Sequence, residues 1–179
     1  MSFEGNRFLI DTNCFIDPFK KYYFFDLVPT FWQRMEEAII FGHVILLDLV
    51  KNEILKGQKE KEKKDELTMW VERFGNDLIL SRKNPEIMDM YLKVLDYIQN
   101  CDLYKSSALT EWSKKDVADG WLIAAACVGE YTITTFEERN NGLNPQYPSP
   151  EAKIPNICEH FSVECVDLFA MMRRLHFRL

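Results

Sequence analysis

The chain has 179 residues, of which 47% are hydrophobic and 28% are charged. This length supports one domain with a substantial core, and we expect a single domain over residues 1–179. The net charge of −6 argues against a general nucleic-acid coat protein, which would be basic. It does not exclude an enzyme that acts on phosphates, because bound divalent metal reverses the local charge of an acidic cluster.

The first predicted strand, residues 8–10, is apolar throughout and is followed directly by Asp11. Buried parallel strands have such continuous apolar runs, and ligands of open α/β sheets collect at their carboxyl ends. Helical spacing over residues 29–41 predicts a helix that stops at Gly42. A second strand over residues 43–47 also ends at an acid, Asp48, which we expect to cap a helix over residues 49–55.

The middle of the chain begins with a strongly charged segment, residues 57–65, predicted to be a solvated helical face or a loop. An amphipathic helix follows around residues 67–74. A short strand at residues 78–81 and a helix that begins at Pro85 come next.

The last third of the chain repeats the alternation of helix and strand. A helix is predicted over residues 116–128 with Gly129 as its C-cap, followed by a β-branched strand over residues 131–135. A loop rich in proline and asparagine spans residues 139–156, a last strand spans residues 161–166, and Asp167 caps a terminal helix. Strands separated by helices imply an α/β fold with a parallel sheet and helices on both faces.

The composition also bears on location. The longest apolar stretch, residues 38–47, is interrupted by Gly42 and His43 and is too short to cross a bilayer. The first residues lack the basic and then apolar pattern of a secretory signal. Five cysteines without a C-x-x-C spacing favour reduced thiols, and we expect a cytoplasmic protein.

Four acids occupy comparable places along this pattern: a strand end for Asp11 and Glu137, and the start of a helix for Glu53 and Asp119. All four can face the carboxyl edge of one parallel sheet. Hard divalent cations prefer oxygen ligands, and carboxylates that meet without a cation repel one another and become partly protonated. Convergence of these acids would therefore imply a metal.

Each acid also has a purely structural interpretation. Asp11 is a good turn former in its sequence context, and Glu53 is an acid favoured in an early helical turn. At the next helix, Asp116 fits an N-cap or an outer partner, whereas Asp119 shares the apolar face of the helix and is preferred as a ligand. Only one of Glu137 and Glu138 can easily enter the site, and Glu137 lies closer to the strand.

Four segments in this order resemble the PIN-domain nucleases, including prokaryotic members related to the toxin ribonucleases of toxin–antitoxin pairs. The four segments are FLIDTN at residues 8–13, DLVKNEI at 48–54, ADGWLIAAA at 118–126 and ITTFE at 133–137. The resemblance covers nearly the whole chain. It implies a Rossmann-like, three-layer α/β/α fold with a central parallel sheet of about five strands.

The resemblance also implies a function, that of a ribonuclease dependent on Mg²⁺ or Mn²⁺. Asp11, Glu53 and Asp119 match the family's metal-binding acids by position. Glu137 stands where many members have aspartate, and its longer side chain favours a contact through water. Together these four residues are the expected catalytic group.

Other residues are expected to support the acids. Thr12, Asn13, Asp116 and Thr135 are expected to orient the carboxylates by hydrogen bonds. Basic residues near the acids in sequence are candidates for contacts with RNA phosphates or are solvated surface charges, namely Lys51, Lys56, Lys114, Lys115 and Arg139.

The expected partners are an RNA substrate and, by analogy with toxins, a small antitoxin protein; a homodimer is left open. The aromatic segment at residues 19–25 either contributes to an interface or packs on a helix. Two other functions compete. A non-catalytic PIN-like module would bind RNA or protein without cleavage, and a doubly wound phosphatase would need an aspartate where this chain has Asn13.

Overall fold

The computed structural model describes residues 7–56 and 64–179. Five parallel strands form its central sheet in the order β3-β2-β1-β4-β5. The strands are β1 (Phe8–Ile10), β2 (Val44–Leu47), β3 (Ile79–Leu80), β4 (Thr132–Thr134) and β5 (Cys165–Val166). Helices flank the sheet, so the predicted α/β fold of Rossmann-like, three-layer type is confirmed.

Helices connect the strands and cover the sheet. They are α1 (Asn13–Asp17), which continues as a π-helical turn (Pro18–Tyr22), α2 (Pro29–Ile40), α3 (Asp48–Lys56), α4 (Glu66–Glu72), α5 (Pro85–Asn100), α6 (Ser106–Trp112), α7 (Asp119–Gly129), α8 (Ile154–His160) and α9 (Leu168–Arg174). None of these described helices is long and apolar enough to cross a membrane.

The central strands are buried because both of their faces are covered. Every residue of β1, β2 and β4 is buried. One cluster of buried apolar side chains includes all of β1 and β2 and the buried apolar side chains of α7. The continuous apolar runs of the sequence therefore correspond to strands that have no solvated face.

Three predicted helices are confirmed. Two of them, at residues 29–41 and 49–55, agree within one residue at each end, and the third begins at Pro85 as predicted. The prediction that Asp167 caps the terminal helix is also confirmed, since its carboxylate accepts from the Ala170 N–H at 2.7 Å. In the aromatic segment 19–25, Tyr23 and Phe25 stack on rings of α2, which is packing within the chain.

The boundaries of α7 differ from the prediction at both ends. The Leu122 N–H donates to the Ala118 carbonyl, so the first turn begins at Asp119, and Asp116 is not the N-cap. At the other end the left-handed residue is Glu130, with φ of +53°, while Gly129 is still helical. The local pattern allowed several starting points, and packing of the helix decided among them.

Three short helices were not predicted. These are α1, α6 and α8, and α8 begins inside the segment that was predicted as a loop. The strands β3 and β5 are shorter than expected, with two residues each. In the charged segment 57–65, residues 57–63 lie outside the described part of the chain, whereas Asp65 caps α4 by accepting from the Thr68 N–H.

Candidate functional site

Asp11 lies immediately after β1, at the carboxyl edge of the sheet, and only 6% of its surface is exposed. Its Oδ1 accepts a hydrogen bond of 2.7 Å from the Thr12 N–H, and its Oδ2 accepts one of 2.7 Å from the Thr135 hydroxyl. Both oxygens of a buried carboxylate are thereby hydrogen-bonded, as burial requires. Asp11 is held in a single orientation.

The Thr135 hydroxyl is the centre of a small network that joins the ends of β1 and β4. It donates to Asp11 and accepts from the Asn13 side-chain amide and from the Glu137 N–H, each at 3.0 Å. The Asn13 Oδ1 accepts in turn from the Phe136 N–H. A hydroxyl has one hydrogen to donate and two lone pairs, so its capacity is completely used.

Glu53 reaches the same edge from α3. Its Oε1 accepts from the Ala118 N–H at 3.0 Å, and its Oε2 accepts from the Thr12 hydroxyl. Thr12 therefore contacts two acids, since its N–H binds Asp11 and its hydroxyl binds Glu53. Burial raises the pKa of Glu53, and these two hydrogen bonds act in the opposite direction.

Asp119 is the first residue of α7 and is partly buried. Within the described residues no hydrogen bond or ion pair engages its carboxylate. Burial, followed by repulsion from Asp11, Glu137 and Glu53, raises the pKa of Asp119 to about 8, while Lys153 opposes this effect. Asp119, the acid of the site without a hydrogen-bond donor among the described residues, is thus the one that the charges of Asp11, Glu137 and Glu53 all act on.

The pKa of Asp11 is raised to about 7, first by burial and then, against its hydrogen bond from Thr135, by the charge of Glu137 and more weakly that of Glu53. Four acids that are distant in sequence therefore form one electrostatic group. Burial and repulsion raise the pKa values of Asp11 and Asp119 into the neutral range, and a bound cation would lower them.

Glu137 is tied to the start of α8. Its Oε2 accepts from the Ile154 N–H at 2.8 Å, and its Oε1 lies 3.5 Å from the Lys153 Nζ. Lys153 was not among the predicted site residues, since sixteen positions separate it from Glu137 and its surroundings read as a loop. Asp119, Glu137 and Lys153 all line one cavity of about 400 Å³, and Trp112 forms part of its wall.

The donor set fits Mg²⁺ or Mn²⁺ in its chemistry, because all four side chains offer carboxylate oxygens. In the part of the chain that the structure describes, no three His, Cys, Asp or Glu side chains are already arranged to hold a metal ion. Protein donors occupy oxygens of Asp11, Glu53 and Glu137 instead. A bound metal would use the second lone pair of such an oxygen or displace its donor.

The predicted supporting residues divide into two groups. Thr12, Asn13 and Thr135 belong to the network around the acids. Asp116 makes no hydrogen bond to the acids among the described residues; it is exposed and pairs with the Lys56 Nζ at 2.6 Å. It adjoins the site through Val117 and Ala118, and its charge raises the pKa of Glu53.

The predicted RNA-binding cations also differ in their surroundings. Lys51 donates to the Phe74 carbonyl just after α4, Lys114 pairs with Glu111, and Arg139 pairs with Glu159 of α8 at 2.5 Å. Lys115 is exposed next to Asp116. A further cation, Arg82, follows β3 at the same sheet edge and was missed because no acid lies beside it in sequence.

A family model described as a domain of unknown function, DUF4411, matches residues 8–179. The match begins at β1 and includes every acid of the site. Neither a curated protein nor a solved structure gives a significant match. Because the family model covers nearly the whole chain, the chain belongs to the DUF4411 family.

Proposed function

We propose that the protein is a ribonuclease that depends on Mg²⁺ or Mn²⁺ and hydrolyses phosphodiester bonds with a metal-activated water. The observation that carries this proposal is the convergence of Asp11, Asp119, Glu53 and Glu137 on one sheet edge, where burial and then repulsion raise the pKa of Asp11 and Asp119. Such a group is stable at neutral pH when a cation neutralises it. The resemblance to PIN-domain nucleases points to the same chemistry.

Asp11, Asp119 and Glu53 are the residues that would hold the cation. A bound divalent cation supplies a water of lowered pKa and positive charge for a phosphate. Asp11 is already oriented by Thr12 and Thr135, so it offers a fixed carboxylate. Asp119 has no competing donor in the described part of the chain, so its carboxylate is ready to bind. Glu53 serves either as a ligand or as the group that orients the attacking water.

The proposal extends to partners and location. The substrate is RNA, and a small antitoxin protein is the expected regulator if the chain acts as a toxin. We place the protein in the cytoplasm, where its five free cysteines would remain reduced. The proposal does not specify whether the chain forms a homodimer.

A second candidate function is a PIN-like module that binds RNA or protein without cleavage. One observation favours it: protein donors occupy oxygens of three of the four acids. Lys153, which lies near Glu137, would then act as the resident cation of the site. The two candidates differ in whether divalent metal binds at these carboxylates.

The test combines cleavage and metal binding. We expect purified protein to cut single-stranded RNA with Mg²⁺ or Mn²⁺ and not with EDTA, and Asp11→Asn and Asp119→Asn to reduce the rate by about 100-fold or more. The matched control is Asp89→Asn, an exposed aspartate on α5, which should cut as fast as the unchanged protein.

Binding of Mn²⁺, followed by its electron paramagnetic resonance signal, gives a readout that does not depend on activity. Asp119→Asn should weaken this binding, and Asp89→Asn should not. If Asp11→Asn cuts RNA as fast as the unchanged protein, the proposal is wrong. RNA binding without cleavage and without Mn²⁺ binding would establish the second candidate.

A further inference from the structure

One exposed carboxylate beside the acidic site, Asp116, pairs with Lys56 and lies near two further cations. Asp116 lies between α6 and α7, and its pKa is lowered chiefly by the hydrogen bond from Lys56 and further by the charges of Lys115 and Arg82. The Arg82 guanidinium also donates to the Lys115 carbonyl at 3.3 Å. In a chain with a net charge of −6, this arrangement concentrates positive charge at one place.

An aromatic side chain lies directly under this charge. The Arg82 Cζ is 5.6 Å from the centre of the Trp121 ring, which is within range of a cation–π interaction. Trp121 is partly exposed. We define the basic–aromatic patch by four residues: Lys56, Arg82, Lys115 and Trp121.

The orientation of the indole is fixed from below. Trp121 stacks on Tyr91 with ring centres 3.8 Å apart and planes 10° from parallel, and the Tyr91 hydroxyl donates to the Trp112 carbonyl. Gly120 permits this packing, since a Cβ there would lie 2.8 Å from the Tyr91 ring. A rigid, partly exposed indole is a suitable surface for a nucleobase, because little freedom is lost on stacking.

The basic–aromatic patch adjoins the carboxylate site. Trp121 follows Asp119 by two residues on α7, and the Ala118 N–H beside it donates to Glu53. Lys56 and Asp116 both interact electrostatically with Glu53. When one phosphate of an RNA chain lies at the carboxylates, the next nucleotide therefore lies close to the basic–aromatic patch.

We propose that the basic–aromatic patch is a subsite for one nucleotide of single-stranded RNA. A phosphate takes the place of Asp116 beside Lys56 and draws the Arg82 guanidinium away from the indole, and an unpaired base packs on the face of Trp121 opposite Tyr91. Phosphate contacts position a strand, while stacking requires a base that is free of pairing. The subsite rests on the proposed ribonuclease function, because it supplies the strand to the carboxylates.

The subsite is tested by binding in EDTA, where metal-dependent cleavage is absent. The probe is a short, fluorescently labelled single-stranded RNA, and affinity is followed by anisotropy. We expect Arg82→Gln with Lys115→Gln to weaken binding and to flatten its dependence on salt, with the slope falling by about 0.7 for each phosphate that the protein no longer neutralises. Trp121→Leu should weaken binding by about tenfold.

Asp116→Asn gives the sharpest check, because a subsite and a purely structural ion pair predict different results. Removal of the competing carboxylate should tighten RNA binding, whereas removal of a structural ion pair would leave it unchanged or weaker. The matched control for charge is Lys20→Gln with Lys93→Gln, two exposed lysines outside the patch. This control should bind RNA like the unchanged protein, and thermal melting verifies that each variant folds.

Several outcomes would overturn the subsite. These are undiminished RNA affinity in the Arg82 and Trp121 variants, an equal loss in the Lys20 and Lys93 control, or a preference for DNA of the same sequence. Failure here is distinct from failure of the ribonuclease proposal. If the protein cleaves RNA with metal but the patch variants bind RNA normally, only the subsite proposal is wrong. If the patch variants lose RNA binding but the unchanged protein does not cleave RNA, only the ribonuclease proposal is wrong.

Discussion

The candidate site has two halves that are built differently. The strand half consists of Asp11, Asn13 and Thr135, which follow β1 and β4 and are linked by hydrogen bonds. The helix half consists of Glu53 and Asp119, carried by α3 and α7. Glu53 is held by two donors from other elements, and Asp119 has none in the described part of the chain.

This difference shows which part of the site is fixed by the fold and which part can respond to a ligand. Neighbouring strands with paired registers bring Asp11 and Thr135 together whenever the sheet forms. Asp119 instead faces like charges and lacks a compensating donor among the described residues, so its pKa rises above that of Asp11. We expect the strand half to determine stability and the helix half to respond to metal and pH.

The largest expected effect on stability is at Thr135. Thr135→Val removes the hydroxyl from three hydrogen bonds and leaves buried partners at Asp11 and Asn13, so we expect a loss of about 2–4 kcal/mol in the free energy of unfolding. Urea denaturation at neutral pH measures this change.

The adjoining residue provides a matched control. The Thr134 hydroxyl is buried without a hydrogen-bond partner in the described structure. Thr134→Val should therefore leave stability unchanged or raise it, because a polar group without a partner is replaced by a methyl group. Similar losses at both positions would contradict the distinction between them.

The second effect concerns the helix half and metal. At pH 7.5, Mg²⁺ or Mn²⁺ at about 100 times its dissociation constant should raise the free energy of unfolding by about 2.7 kcal/mol. Denaturation with and without the metal measures this gain. Asp119→Asn should abolish most of it, and Asp89→Asn should retain it. A gain that persists in Asp119→Asn would show that the metal binds elsewhere.

The third effect is a dependence on pH in the absence of metal. The pKa values of Asp11, about 7, and Asp119, about 8, exceed the ordinary value of 3.8. The folded chain therefore keeps protons that the unfolded chain has released, so stability falls as the pH rises above 3.8 and stops falling once the pH has passed about 7 for Asp11 and about 8 for Asp119. From pH 5 to pH 8.5 in EDTA, we expect the free energy of unfolding to fall by at least about 1 kcal/mol.

Asp119→Asn separates the two halves in the same titration. It removes the carboxylate with the higher pKa, so the decline should become smaller and should level off above about pH 7, the pKa of Asp11. A stability that rises between pH 5 and pH 8.5 in the unchanged protein would contradict the coupling of the acids.

The smallest effect concerns the link between the halves. Thr12→Val keeps the N–H that binds Asp11 but removes the hydroxyl that binds Glu53. We expect a loss of about 1 kcal/mol, because Glu53 is partly exposed and can turn to water. Since this hydrogen bond lowers the pKa of Glu53, that pKa should rise further, which carboxyl NMR can follow.

Thr12→Ser keeps the hydroxyl and serves as the control for Thr12→Val. It should preserve the pKa of Glu53. If both substitutions shift that pKa equally, the hydroxyl does not join the two halves.

Much of the fold could be predicted from the sequence because its central strands are continuous apolar runs. Such runs occur where both faces of a strand are covered, and helices between them force parallel pairing. The lengths of the two-residue strands and the presence of the helices α1, α6 and α8 were not predicted, since short elements depend on contacts more than on local pattern. The start of α7 at Asp119 was missed for the same reason.

The acids were identifiable individually, because Asp11 and Glu137 follow strands and Glu53 and Asp119 lie in the first turns of predicted helices. Their surroundings were not. The contact of Lys153 with Glu137 joins residues sixteen positions apart through a segment predicted as a loop. The stacking of Trp121 on Tyr91, with Arg82 beside it, depends on how α5, α7 and the end of β3 meet.

The sequence by itself determined the alternation of strands and helices and the edge at which the acids would lie, because hydrophobic periodicity and turn chemistry are local. Only the tertiary structure decided which donors hold each carboxylate, which one is left without a donor among the described residues, and which cations gather beside them. Hydrogen bonds and burial depend on positions in space, and these arise only when distant segments pack.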